Sequence, residues 1–371
     1  MNIALDAYPL AERTSGIASY VRNMLAGLTA LDEDNRYFLY SKSPFDFPAR
    51  ENVTLRHGGG GGRAPSYENT LWLFTKGVWM MKKDNIDVFW GTRQMLPPCL
   101  PGKIKKVVTV YDLVWHYFPE TVSAYNLMVL KTLFKRSVKS SDRIITISKA
   151  TSRSLTDVIG VPEEKITVAY PAANGFAPMD RDSSAGYISS KYGTSKDYIL
   201  TVSTVEPRKN LITLLRAFSE LRGGGYQLLV AGASGWKTSS IFEECERLGL
   251  TEREVKFLGY IPDEDMNRLY SGAALFVFPS IYEGFGIPPL EAMASGAPVV
   301  ASNASSLPEV VGEAGVLLDP YDIDGWRAAM TRVLADTKVR EGMRRKGLAQ
   351  ASRFSWEESA RRTLRVFSCP L

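Results

Sequence analysis

Short runs of β-branched and aromatic residues alternate with segments of helical period along the whole chain. The runs Ile3–Asp6, Tyr37–Tyr40, Val107–Val110 and Ile144–Ile147 predict strands, as do Tyr198–Ser203, Gln227–Ala231, Leu275–Phe278, Pro298–Ala301 and Val316–Leu318. They carry little polar alternation, the mark of strands covered on both faces. Between them lie amphipathic segments, such as the one in which Ile17, Tyr20, Val21, Met24, Leu25 and Leu28 recur at helical spacing. Strand–helix alternation of this kind predicts parallel sheets with helices on both sides.

The apolar rhythm stops over Pro171–Ser195, where a polar stretch reads as a linker, and a new strand opens at Tyr198. Two α/β domains are therefore expected, residues 1–175 and 176–354, with a terminal helix over 355–371 packing back on the first or the second. A length of 371 residues fits that division, being too long for one ordinary core. Gly58–Gly62 predicts a loop, either an acceptor-side flap or plain surface.

The net charge of +5 suits an anionic partner such as a sugar nucleotide or an acidic lipid surface. Without clustered Lys/Arg stripes or a reading motif it does not argue for nucleic acid. Two histidines and three scattered cysteines leave neither a His-rich metal site nor a disulfide framework. No signal-like N-terminus is evident, and no apolar run approaches the ~18–20 residues of a membrane helix. The expectation is a cytoplasmic protein. Leu71–Lys83 mixes Trp, Phe and Met with Lys76, Lys82 and Lys83. It reads first as a core helix with a lysine edge and second as an interfacial helix on an anionic membrane. The segment with Leu127, Leu130, Lys131, Phe134, Lys135 and Arg136 is a second such candidate.

Chemistry concentrates in two segments. In Pro279–Ser302 a buried strand runs into a glycine-containing loop, and Pro288–Pro289 open a helix that Gly296 is placed to cap. Glu283 falls in the loop and Glu291 in the first helical turn, while Gly284 and Gly286 let backbone N–H groups approach an anion. Carboxylates accept hydrogen bonds from vicinal sugar hydroxyls, so two of them could hold two sugars of one donor. Alternatively, Glu291 merely complements the helix dipole and Glu283 is solvated. In Val202–Phe218 a strand leads into Glu206, Pro207, Arg208 and Lys209, at the sheet edge where α/β proteins bind ligands. Arg208 and Lys209 can neutralise a leaving diphosphate. Positive charge at a helix start opposes the dipole, which argues for a ligand there.

Together these segments resemble the retaining glycosyltransferases of the two-domain GT-B fold, specifically family 4. Glu283 and Glu291 match its paired glutamates, Arg208 and Lys209 its Arg-Lys pair, and Gly259–Ser280, Ser305–Pro320 and Phe354–Leu364 further segments. The resemblance implies two Rossmann-like domains with parallel sheets facing each other across a cleft, the donor held by the second. It implies that Glu291 binds the nucleotide ribose and that Glu283 faces the transferred sugar, wrapped by Gly284, Phe285, Gly286 and Ile287. Backbone near Tyr260–Ile261 would meet the base, and Gly16, in the segment Thr14–Leu25, would approach the diphosphate. The implied reaction is metal-independent transfer with retention and needs no cofactor. Bacterial polysaccharide assembly is the implied setting, with mannose from GDP-mannose as preferred donor and a glycan or lipid-linked glycan as acceptor.

One departure stands out. Where the family reads His-Asp-Leu this chain has Tyr111, Asp112 and Leu113, so the histidine's sugar contact cannot be carried over. Tyr111 or His116 could replace it. An epimerase of the same fold and a non-catalytic sugar-nucleotide-binding protein remain rival readings. Asp322 and Asp324 have the spacing of a metal-binding pair, but their position favours Asp324 as a helix N-cap.

Overall fold

The computed structural model describes residues 1–12, 16–59, 64–121, 127–128, 130–195 and 197–370. The chain forms two compact units, Met1–Pro171 with Ser355–Leu371, and Ala172–Phe354.

The first unit is built on a seven-stranded parallel sheet. Its strands are β1 (Asn2–Asp6), β2 (Arg36–Ser41), β3 (Val53–His57), β4 (Val88–Gly91), β5 (Lys105–Val110), β6 (Arg143–Thr146) and β7 (Ile166–Val168). They lie in the order β3-β2-β1-β4-β5-β6-β7. The second unit has six parallel strands, ordered β10-β9-β8-β11-β12-β13. These are β8 (Tyr198–Val202), β9 (Gln227–Ala231), β10 (Val255–Gly259), β11 (Leu275–Phe278), β12 (Val299–Ser302) and β13 (Val316–Leu318). In each sheet the chain order reverses once, between β1 and β4 and between β8 and β11. Such a reversal opens a crevice at the carboxyl ends of the two central strands.

Four strands escape the sequence pattern: β3, β4, β7 and β10. Three of them, β3, β7 and β10, are sheet edges, half-covered and so without a continuous apolar run. The fourth, β4, is central but has only four residues and ends in glycine. The stretch taken as a linker holds the helix Arg181–Tyr192, capped by Asp180 at one end and by left-handed Gly193 at the other. Its buried residues are only Ser184, Ala185 and Ile188, too few to produce a visible period.

The terminal helix, Trp356–Ser368, packs against the helix Gly16–Leu31 of the first unit. Trp356 meets the edge of Tyr20 with ring centroids 5.5 Å apart. Buried Lys105 donates to the carbonyls of Val366 and Phe367 at 2.6 and 3.0 Å, placing a cation at the helix's negative end.

The segment Ser66–Lys83 is helical throughout, with a π-turn at Leu73–Gly77 that shifts the phase of its faces. Trp72, Leu73, Val78 and Met81 join the core, whereas Tyr67, Leu71 and Trp79 point outward with 63%, 66% and 53% exposure. Leu127, Leu130 and Phe134 pack on that same core, leaving Lys131, Lys135 and Arg136 exposed. Most of the glycine run, Gly60–Gly62, lies outside the described residues. The helix Ile323–Ala335 is capped by Asp322, whose Oδ1 accepts from the Gly325 amide at 2.9 Å. Asp324 lies inside the first turn, so the capping role falls two residues earlier than the sequence suggests.

Candidate active site

At the carboxyl ends of β8 and β11 the two chemistry-bearing segments meet. Pro207–Lys209 forms a single 3₁₀ turn, followed by Asn210 in the left-handed region (φ 55°) and the helix Leu211–Ser219. Asn210 is a residue type that tolerates this conformation. Its Nδ2 donates to the carbonyls of Pro279 and Pro320 at 3.2 and 2.6 Å, tying the loop after β8 to the loops after β11 and β13.

Opposite stands the helix Ile287–Ala294, opened by Gly286. Gly286 has φ 98°, a conformation that favours glycine, and a Cβ there would lie 2.6 Å from Leu307 Cδ2, which would have to shift. Gly296, with φ 84°, follows the last turn and caps the helix as its position suggests. Glu291 is the fifth residue of this helix, so it sits one turn further in than the sequence suggests. The loop before the helix is held by two serines. Ser305 Oγ accepts from the Glu283 amide at 2.7 Å, and Ser306 Oγ donates to the carbonyls of Glu283 and Phe285 at 2.9 and 2.8 Å. Phe285 is buried, its ring edge against Phe354.

Charges in the site are paired. Lys209 Nζ lies 2.5 Å from Glu283 Oε1, and Arg208 Nη1 lies 3.4 Å from the same oxygen. Arg208 also pairs with buried Glu206 at 2.6 Å and donates to the Tyr282 carbonyl at 2.7 Å. Ser280 Oγ donates to Glu283 Oε1 at 2.6 Å. The dipole conflict read from the sequence is therefore offset internally, by Glu206 and Glu283, before any ligand arrives. Burial pushes the Glu283 carboxyl up, but Lys209, Arg208 and the Ser280 hydroxyl together outweigh it and hold the group below the ordinary carboxylate range.

Glu291 has the opposite balance. Burial raises its carboxyl to about 7, against the opposing hydrogen bond from the Tyr270 hydroxyl and with added repulsion from Asp263. Tyr270 donates to Glu291 Oε2 at 2.8 Å. The two glutamates thus differ in charge state near neutral pH, Glu283 being ionised and Glu291 poised to titrate. Ile261 is buried just after β10, while neighbouring Tyr260 is 59% exposed.

In the first unit Gly16 begins its helix, and among the described residues a Cβ there would meet nothing within 4 Å. Tyr111 is buried and its hydroxyl donates to the Thr92 carbonyl at 2.8 Å, so contact with a sugar would mean giving up a core hydrogen bond. Asp112 accepts from the Val114 amide at 3.0 Å, a local turn that leads into the short helix Val114–Tyr117. His116 is exposed on that helix, between the rings of Trp115 and Tyr117. At the reversal between β1 and β4, Asp6 pairs with Arg93 at 2.6 Å, both largely buried.

The sequence reading passed over Arg93, Asn210, Tyr270, Ser280, Ser305 and Ser306. All but Arg93 lie in segments the resemblance already covered, which was the signal available for them. Among the described residues no three His, Cys, Asp or Glu side chains cluster as metal ligands would, and no helix is long and apolar enough to cross a membrane.

A parallel-sheet unit with an Arg-Lys pair and two glutamates at its switch point suits an anionic, hydroxyl-bearing ligand, and the chain matches two glycosyltransferase families. Residues 189–350 match the family described as "Glycosyl transferases group 1" and residues 14–174 the one described as "Glycosyltransferase Family 4". The chain belongs to the family 4 glycosyltransferases. It is 30% identical to O-antigen chain mannosyltransferase B of Escherichia coli over 99% of both chains. Among solved structures it resembles a sucrose-phosphate synthase from Thermosynechococcus elongatus, with TM-score 0.78 and 21% identity over 99% of this chain and 98% of that one. It also resembles Anabaena HepE in complex with UDP and glucose, with TM-score 0.77 and 19% identity over 100% and 99% of the two chains. These likenesses establish the GT-B class of fold, two Rossmann-like domains in one chain.

Proposed function

We propose that this protein transfers a hexose, with retention and without a metal, from a nucleoside-diphosphate sugar to a glycan or lipid-linked glycan in bacterial polysaccharide assembly. Mannose from GDP-mannose is the preferred donor, a choice supported by the mannosyltransferase relative. The observation that carries the reading is the convergence of Lys209 and Arg208 on Glu283 at the carboxyl ends of β8 and β11. Glu283 shares the two cations that suit a diphosphate. An arriving diphosphate takes the two cations and frees the carboxylate for the sugar's hydroxyls, while Glu291 receives the ribose. As the bond from the anomeric carbon to the diphosphate oxygen breaks, the acceptor oxygen bonds to the same face. Its proton passes to the departing phosphate, and charge grows beside fixed cations.

The outward face of Ser66–Lys83 supports peripheral contact with the cytoplasmic, anionic side of a membrane. Tyr67, Leu71 and Trp79 are exposed there alongside Lys76, Lys82 and Lys83, and Lys83 Nζ lies 3.7 Å from the centre of the Trp79 ring. That arrangement of aromatic anchors and cations suits a headgroup layer.

The experiment is a thermal-shift panel of GDP-, UDP-, dTDP- and ADP-sugars with and without EDTA, using Glu291→Ala as control, followed by NMR assignment of the product anomer. One nucleotide class should raise the midpoint, EDTA should leave both shift and turnover intact, and Glu291→Ala should abolish the shift. A folded protein that responds to none of the donors would overturn the reading.

A further inference from the structure

We propose that Tyr270 is a positioning residue of the donor site: its hydroxyl tethers one oxygen of Glu291 so that the other faces the ligand. The inference rests on the donor-site reading above and adds a residue that reading does not use.

Tyr270 lies in the helix Asp263–Gly272 and is fully buried. Phe176 and Phe276 meet its ring edge-on, with centroids 5.6 and 5.5 Å away. Those contacts hold the ring in place, so the position of its hydroxyl oxygen is set by packing. The hydroxyl has one hydrogen-bond partner among the described residues, Glu291 Oε2 at 2.8 Å. Among the described residues Oε1 of the same carboxylate has none. A carboxylate gripped at one oxygen by a rigid donor keeps its second oxygen in a fixed direction. That arrangement suits an incoming vicinal diol, because the ordering is complete before binding.

The tether also has an electrostatic consequence. A hydrogen bond to the ionised form favours ionisation, so the Tyr270 hydroxyl pulls the Glu291 carboxyl downward against burial and against Asp263. Tyr270 and Asp263, both on the helix Asp263–Gly272, are the only titratable groups among the described residues acting on it. The unit Ala172–Phe354 contains neither of the chain's histidines, His57 and His116, so no other group of ordinary pKa near 7 titrates within it. Donor affinity should accordingly rise with pH through the neutral range as Glu291 ionises, then level off. Without the tether the rising limb should move to higher pH.

The test measures the dissociation constant of the intact nucleotide sugar found by the donor panel, from pH 5.5 to 9, for wild type, Tyr270→Phe and Glu291→Gln. The intact sugar is the right probe because a free nucleotide's terminal phosphate titrates in the same range. Tyr270→Phe keeps the packed ring and removes only the oxygen. A charge-assisted hydrogen bond of ordinary strength corresponds to a limb displaced upward by about one pH unit, which is about five-fold weaker binding near pH 7, and the freed carboxylate adds a smaller loss that persists above about pH 9. Glu291→Gln should flatten the limb. If Glu291→Gln flattens it while Tyr270→Phe leaves it at the wild-type position, the tether is refuted and the donor-site reading stands. If Glu291→Gln leaves the limb unchanged, the reading of Glu291 fails, and the tether with it. A uniform loss of affinity in Tyr270→Phe with the limb still at its wild-type position would show a packing role alone and also overturn the proposal.

Discussion

Replacing Lys209 with methionine removes one cation from a cluster whose charges balance. The Lys209 and Glu283 side chains are each only 12% exposed and lie 2.5 Å apart. Taking one partner from a buried ion pair costs about 3–5 kcal/mol, because the remaining charge is stranded. Here Glu283 keeps Arg208 at 3.4 Å and the Ser280 hydroxyl at 2.6 Å, so the expected loss lies lower, at about 2–3 kcal/mol. For a unit of this size that corresponds to a midpoint roughly 5–10 °C lower in the transition of the C-terminal unit. Adding Glu283→Gln removes the stranded charge, and the double variant should recover most of the loss. The pH dependence follows from the direction of the shift. The folded Glu283 carboxyl lies below its unfolded value. Its ion pairing therefore stabilises fully above the ordinary carboxylate range and is lost as pH falls through the folded value. The gap between wild type and Lys209→Met should be full at pH 7 and narrow toward pH 4. Calorimetry of wild type, Lys209→Met and the double variant at both pH values decides the matter. A single-variant loss under about 0.5 kcal/mol, or a double variant worse than Lys209→Met, would refute the reasoning, since neither fits a stranded carboxylate.

Two further outcomes are expected. Gly286→Ala should destabilise the C-terminal unit by about 1–3 kcal/mol in urea unfolding and weaken donor binding, because a Cβ at φ 98° is strained and meets Leu307. Vesicle flotation should show binding to anionic but not zwitterionic vesicles, weakened about five-fold for each of Lys82→Ser and Lys83→Ser at moderate salt. Trp79→Ser should weaken it further, and unchanged flotation of all three variants would exclude this face as the contact.

Residues local in sequence announced much of the fold. Strands covered on both faces must be apolar throughout, so β1, β5, β6, β8, β9 and β11 stand out as runs. Edge strands need no such run, and β3, β7 and β10 were invisible for that reason. The helix Arg181–Tyr192 was hidden because few of its residues reach a core. Its caps, Asp180 and Gly193, were the signal available.

For the site, the sequence by itself determined which groups are present: an Arg-Lys pair after one strand, two glutamates and the Gly-Ile-Pro-Pro helix start after another. Backbone chemistry ties those to local positions, and local positions are written in order along the chain. What the groups do to one another was decided by tertiary structure. Arg208 and Lys209 lie more than seventy residues from Glu283, and only the placing of β8 beside β11 brings them into contact. The same juxtaposition neutralises charges that the sequence shows as unpaired. Tyr270 is one apolar-looking residue in an amphipathic helix until folding aims its hydroxyl at Glu291. Burial then separates the titration of two chemically identical carboxyls, since desolvation and partners depend on the packed surroundings of each.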